Sequence, residues 1–181
     1  MPKLKKIMPD ICVIGTDTNV GKTVVSLLLM YLFGKHGFSP FYLKPFQTGC
    51  ATPFDSESDA QFIRKYMNGI MDIDVMKSTL FCHHEPKAPW LSARNQGEKI
   101  DSDRLFDFIE KIRREHNPII IEASGGLMVP INEETLFVDI IAKTKARPIL
   151  VARTGLGTIN HTLLSLLALQ AKGIVPLGIV F

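Results

Sequence analysis

Short apolar runs separated by polar, glycine-containing stretches set the rhythm of this chain. The first run, Ile11-Cys12-Val13-Ile14, is bounded by Asp10 and Gly15 and has the continuous apolar character of a strand buried on both faces. Thr23 to Phe33 (TVVSLLLMYLF) is apolar nearly all round, with Gly34 and Gly37 at its end, which predicts a helix packed deep against that strand's sheet. Phe41 to Leu43 reads as a second strand and Ile119-Ile120-Ile121 as a third, entered from an amphipathic helix over Ser102 to Glu115. Pro148 to Ala152 makes a fourth and Val175 to Phe181 a fifth, with a helix over Asn160 to Lys172 between them. Strands alternating with helices imply an α/β fold with a parallel sheet and right-handed crossovers. Gly69 to Lys99 is the least regular stretch; its Pro86 and Pro89 predict a shaped loop before a short helix around Trp90 to Arg94.

With 181 residues the chain fits one domain, large enough to bury a central sheet between helices. No apolar run approaches the roughly 20 residues of a membrane-spanning helix. The basic N-terminus MPKLKKIMPD has too short an apolar stretch for a signal-peptide core, so a cytoplasmic protein is expected. The 21 Lys+Arg and 18 Asp+Glu are scattered, which argues against a nucleic-acid partner. Cys12, Cys50 and Cys82 are odd in number and lack CxxC spacing, which fits a reducing compartment and neither a disulfide framework nor a Zn site. Cys82 with His83-His84 resembles a metal cluster, yet adjacent residues do not easily aim at one ion, and none is predicted there.

Between the first strand and its helix lies Gly15-Thr16-Asp17-Thr18-Asn19-Val20-Gly21-Lys22-Thr23. A loop in that place turns several backbone N–H groups toward one point, and the positive end of the following helix adds to the field, so it suits a polyphosphate. Gly21 permits close backbone approach, Lys22 reaches the β/γ-phosphates, and the Thr23 hydroxyl suits Mg²⁺. The spacing misses GxxxxGK[ST] by one place, with Thr16 where the first glycine is expected. A plain glycine-containing turn would have no use for Lys22, which reads as a solvated charge at the sheet's C-terminal edge.

In a doubly wound sheet the ligand lies beyond the C-terminal ends of the strands. Lys44 follows the second strand in KPFQTG; it either neutralises a transferring phosphoryl group or anionic substrate, or is a surface lysine at a strand end. Glu122 follows the third in EASGG, placed to hold Mg²⁺, with the Gly125 and Gly126 amides able to face an anion. Asp55, Glu57 and Asp59 open a helix continuing through Ala60 to Ile63; they complement the helix dipole, or Asp59 is a third Mg²⁺ ligand. After the fourth strand, TGLGTINH leads into a helix whose free amides suit a carboxylate; the plainer reading is a capped connection with Thr158 or Asn160 as N-cap.

Together these motifs resemble dethiobiotin synthetase, the biotin-pathway ligase: GTDTNVGKT at 15 to 23, YLKPFQTG at 42 to 49, SDA at 58 to 60, IEASGG with VPI within 121 to 131, and GTINH at 157 to 161. They come in family order across essentially the whole chain. The resemblance implies a single-domain, P-loop NTPase-like three-layer sandwich with a mainly parallel sheet, acting as a homodimer. It implies ATP and Mg²⁺, with 7,8-diaminopelargonic acid and CO₂ or bicarbonate as the other reactants. By resemblance, Thr18, Asn19, Val20, Gly21, Lys22 and Thr23 bind the ATP phosphates, and Thr23, Asp59 and Glu122 surround Mg²⁺. Lys44, Lys22 and Thr18 are the implied catalytic residues; Lys44 and Thr48 line the place where the diamine is carbamylated, near Gly125 and Gly126. The stretch holding Gly157 and Asn160 is implied to bind the substrate carboxylate from the neighbouring subunit.

Three departures from the family pattern stand out. Glu122 is followed by Ala-Ser rather than Gly-Ala, Asn19 stands where an acidic residue can occur, and the segment that holds the nucleotide base is expected to lie beyond Phe181. A ParA/MinD-like ATPase switch is the rival reading from another class. Those loops carry an extra lysine near their start, where this chain has Thr16 and Asp17.

Overall fold

The first apolar run forms β1 (Ile11–Gly15), buried along its whole length, in a computed structural model that describes residues 7–181. Most of the basic N-terminal stretch MPKLKKIMPD therefore lies outside the described residues. After β1 come α1 (Lys22–Lys35), β2 (Phe41–Leu43), β3 (Phe46–Thr48), α2 (Asp59–Met67), α3 (Val75–Ser78) and β4 (Phe81–His83). The chain continues through α4 (Pro89–Asn95), α5 (Ser102–Ile112), β5 (Ile119–Gly126), α6 (Phe137–Thr144), β6 (Arg147–Val151), α7 (Thr158–Ala171) and β7 (Gly178–Val180).

The main sheet has the order β2-β5-β1-β6-β7, and each neighbouring pair is parallel. Side-chain alternation along β1 explains the two covering layers. Cys12 and Ile14 face the layer that contributes Leu105 and Ile109 of α5 and Phe137 and Ile141 of α6. Ile11 and Val13 face the opposite layer, with Met30 and Phe33 of α1 and Ile63 and Met67 of α2. The result is the three-layer α/β sandwich with a mainly parallel sheet that the strand–helix alternation predicts. None of the described helices is long and apolar enough to cross a membrane.

Besides the unexpected short helix α3 and the continuation of β5 past Ile121 to Gly126, the structure departs from the sequence expectations in four places. First, β3 and β4 form a separate two-stranded parallel sheet, inside the KPFQTG motif and the irregular stretch respectively. Second, α6 was not expected: FVDIIAKT buries five of its eight residues and starts at Leu136, whose amide is accepted by the Asp139 carboxylate at 2.9 Å rather than by an upstream capping residue. Third, α2 starts at Asp59. Asp55 lies upstream, closing a turn by accepting from the Ala51 amide and the Thr52 hydroxyl, and Glu57 is exposed. Fourth, β7 covers only Gly178–Val180 of the expected Val175 to Phe181, because Leu177 donates its amide to Pro148 and real pairing begins after it.

A single carboxylate ties the edges of this framework together. Asp10 accepts from the Ile119 amide at 2.9 Å with one oxygen and from Arg113 Nε at 2.7 Å with the other, while Arg113 Nη2 donates to the Thr144 carbonyl at 2.9 Å. The starts of β1 and β5 and the ends of α5 and α6 thus meet at one point. Asp10→Ala would orphan a buried amide and leave Arg113, whose side chain is 33% exposed, held only by Glu110 and the Thr144 carbonyl, so the expected cost is about 2–3 kcal/mol. Urea unfolding measures it; a loss below about 1 kcal/mol would mean that the Ile119 amide has found another acceptor.

Candidate active site

The loop from Thr16 to Gly21 leaves β1 at the sheet's C-terminal edge and enters α1 through Gly21, which adopts the left-handed φ of 100° and leaves the helix without a side-chain cap. The first amides of α1 are therefore available to an anion. Gly15 is needed for the tight return of the loop, because a Cβ there would lie 2.7 Å from the Asp17 carbonyl and 2.9 Å from Lys22 Nζ. Lys22 folds back over the loop and donates to that Asp17 carbonyl at 2.8 Å. It is only 6% exposed, so it is a buried charge and not the solvated one the sequence suggests. Burial, followed by the nearby Lys44 ammonium, pushes its pKa down to about 8. A lysine held that way gains from a bound phosphate more than a solvated one does. The Asp17 carboxylate, in contact with Arg153, is held below its usual range first by the Thr18 amide and then by that guanidinium.

The charged cluster beside the loop follows from sheet register. In the β2/β5 pair Tyr42 lies beside Ile120 and Leu43 beside Ile121, so one further step sets Lys44 beside Glu122. Residues two apart share a face, and Tyr42, Lys44 and Glu122 all point to the side covered by α1 and α2. Those helices bring Thr23 and Asp59 by their first turns. Lys44 Nζ donates to Glu122 Oε1 at 3.0 Å, Asp59 Oδ2 at 2.8 Å and the Ala123 carbonyl at 3.1 Å, using all three of its protons. Burial works against that charge, but Glu122 and Asp59 more than compensate and hold the lysine pKa above its ordinary value. Burial likewise opposes the Asp59 charge, and Lys44 overrides it, keeping the carboxyl below the usual range. Lys44 is 5% exposed, which excludes the reading of it as a surface lysine.

Thr23 Oγ1 lies 2.8 Å from Asp59 Oδ1 and 2.9 Å from Glu122 Oε1. One hydroxyl has one proton, so it satisfies only one of these carboxylates at a time. Three oxygens converge with a surplus of lone pairs, and an all-oxygen donor set of this kind suits a hard divalent cation such as Mg²⁺. The residues present fit the ion.

A cavity of about 730 Å³ joins the loop to the cluster. Of the residues singled out from sequence, Thr18, Asn19, Gly21, Lys22, Thr23, Lys44, Thr48, Glu57, Asp59, Glu122 and Gly125 line it. Gly125 has a φ of 74°, and a Cβ on it would come within 3.0 Å of Val129. Val20 packs instead against the apolar layer of α1 and α2. Gly126 lines a neighbouring cavity of about 440 Å³ with Asp17 and His161. Gly157 and Asn160 are exposed at the start of α7, outside both cavities, and Gly157 itself is the N-cap, in place of the expected Thr158 or Asn160. His83 is buried with Nε2 3.3 Å from Glu98, whereas His84 is exposed.

Sequence reasoning missed three contributors. Tyr42 donates to Glu122 Oε2 at 2.9 Å. Gln47 accepts the Asp59 amide at 3.2 Å and so holds the start of α2. The Ser124 hydroxyl donates to the Phe46 carbonyl, fastening β3 to the C-terminal half of β5. Period-2 placement on β2 was the signal that could have found Tyr42.

Residues 10–181 match the AAA domain family. The chain is 37% identical over 180 residues to the ATP-dependent dethiobiotin synthetase BioD of Lysinibacillus sphaericus, covering 96% of this chain and 75% of that one. It is 39% identical over 169 residues to the synthetase of the same name from Brucella abortus, covering 93% and 72%. Among solved structures, the kinase domain of the Escherichia coli tyrosine kinase ETK superposes with a TM-score of 0.59 over 95% of this chain and 66% of that one. At 15% identity that likeness extends to the fold alone.

Proposed function

We propose, from the premise that this chain belongs to the dethiobiotin synthetase family and is a cyclo-ligase of biotin biosynthesis, that it closes the cyclic urea of dethiobiotin from 7,8-diaminopelargonic acid, CO₂ and ATP. The observation that carries the detailed reading is the sharing of one cavity by Lys22, Thr23, Lys44, Asp59 and Glu122 beneath an open helix N-terminus.

One amine of the diamine adds to CO₂ and loses a proton, giving a carbamate. The carbamate oxygen attacks the γ-phosphorus of ATP, ADP leaves, and a carbamic–phosphoric mixed anhydride forms. The second amine then attacks its carbonyl carbon and expels phosphate, which is a far better leaving group than hydroxide. Lys22, Thr18 and the amides of Asn19 to Thr23 bind the phosphates, and Lys44 offsets charge that builds on the transferring group. Thr48 and Gly125 border the diamine, whereas Gly126, expected beside it, lines the neighbouring cavity. Held by Thr23, Asp59 and Glu122, Mg²⁺ would neutralise phosphate charge as the group is transferred. The exposed start of α7, with Gly157 and Asn160 and no acidic residue in its first turn, supports a role in binding the substrate carboxylate of a partner protomer in a homodimer. These reactants are soluble metabolites, and the reading places the protein in the cytoplasm.

Incubation with the diamine, ATP, Mg²⁺ and ¹³C-labelled bicarbonate tests this reading. The expected product carries the label in its ureido carbon, detected by mass spectrometry; ATP consumption with no labelled cyclic urea would refute it.

A further inference from the structure

Glu122 is 1% exposed, and its two oxygens have different company. Oε1 receives the Thr23 hydroxyl and the Lys44 ammonium, both on the cavity side. Oε2 receives one donor, the Tyr42 hydroxyl, from the interior. Tyr42 is itself 1% exposed, with its ring in the apolar layer of Met30, Phe33, Ile63 and Met67. Packing at this point asks only for the ring, which phenylalanine supplies equally well. A buried hydroxyl is tolerated there because it has a charged acceptor, and a hydrogen bond to a charged group is the strong kind.

We propose that Tyr42 is a positioning residue for the metal: its hydroxyl pins Glu122 Oε2 against the interior and so aims Oε1 at the point shared by Thr23 and Asp59. The inference rests on the reading of Glu122 as a Mg²⁺ ligand. Without that hydroxyl Oε2 loses its donor, only the Thr23 and Lys44 contacts at Oε1 resist rotation of the carboxylate about its terminal bonds, and such rotation takes Oε1 out of line with the other two oxygens. Groups that hold metal ligands from behind commonly change metal affinity by about 10- to 100-fold when removed.

The test is direct binding of Mn²⁺, as a spectroscopic stand-in for Mg²⁺, to the full chain with ATP present. Free Mn²⁺ is read by electron paramagnetic resonance, well below the melting transition of each variant. Tyr42→Phe is expected to raise the Mn²⁺ dissociation constant about tenfold while leaving metal-free ATP binding unchanged. In a Glu122→Gln background the same substitution is expected to add nothing, because the residue through which it acts has already been altered. Wild-type Mn²⁺ affinity in Tyr42→Phe would overturn the proposal. An undiminished effect in the Glu122→Gln background would overturn it too, since the hydroxyl would then be acting through general packing. Failure of the wild-type protein to form the labelled cyclic urea is a separate outcome: it sinks the synthetase reading and leaves the Mn²⁺ comparison intact as a test of Tyr42.

Discussion

Lys44→Ala is expected to lower the rate of dethiobiotin formation on the order of 10³-fold, as removal of one preorganised charge from a transferring group commonly does. Its three protons are committed to Glu122, Asp59 and the Ala123 carbonyl, so its ammonium is fixed before any substrate arrives. That fixing is what makes it effective, because no reorganisation is needed when charge develops. The substitution also leaves two neighbouring carboxylates without their counter-charge, one of them fully buried, and removal of one partner from such a group costs about 3–5 kcal/mol of stability. Unfolding curves must therefore accompany the kinetics. Saturating Mg²⁺ should recover stability in Lys44→Ala more than in the wild type, since the ion would supply the missing positive charge. A folded Lys44→Ala protein with near-normal turnover would remove this lysine from the chemistry.

Glu122→Gln is expected to be nearly as damaging, on the order of 10²- to 10³-fold in rate, with a higher Mg²⁺ requirement. The change keeps the side chain's shape but removes one of the two negative charges that hold Lys44 and gather with Thr23. An amide has a single oxygen, so it cannot accept from both the Lys44 side and Tyr42 as the carboxylate does. Steady-state kinetics across a Mg²⁺ titration check this prediction. A fall in rate that Mg²⁺ does not influence would assign Glu122 to Lys44 alone and not to the metal.

Much of this arrangement was legible in the sequence, because its parts are local. Residues 41–43 form the strand expected from their apolar run, and the glycine-and-lysine loop falls between β1 and α1 as expected, although its Lys22 is buried and not solvated. Glu122 was expected just after the run Ile119-Ile120-Ile121, but β5 continues through it to Gly126, so it is a buried strand residue opposite Val13 that reaches the site by its side chain. What escaped was non-local. Period-2 placement puts Tyr42 on the face of Lys44, but only the pairing of β2 with β5, a non-local relation, makes it a partner of Glu122. The β3/β4 pair escaped because three-residue strands containing Gln47, Thr48 and His83 carry no clean alternation. α6 escaped because Phe137, Val138, Ile140 and Ile141 are buried around most of an eight-residue helix, too short and too apolar to display a helical period.

The central claim is that the phosphate loop and the Lys44, Asp59 and Glu122 cluster serve one coupled reaction, and ATP hydrolysis by the purified chain with Mg²⁺ tests it most directly. Phosphate release is measured with diamine and bicarbonate together, with each alone, and with neither. The account predicts release above a low background only when both are present, because the carbamate is the acceptor the site presents to the γ-phosphoryl group and unpositioned water is a poor substitute for it; equal release in all four mixtures would contradict it.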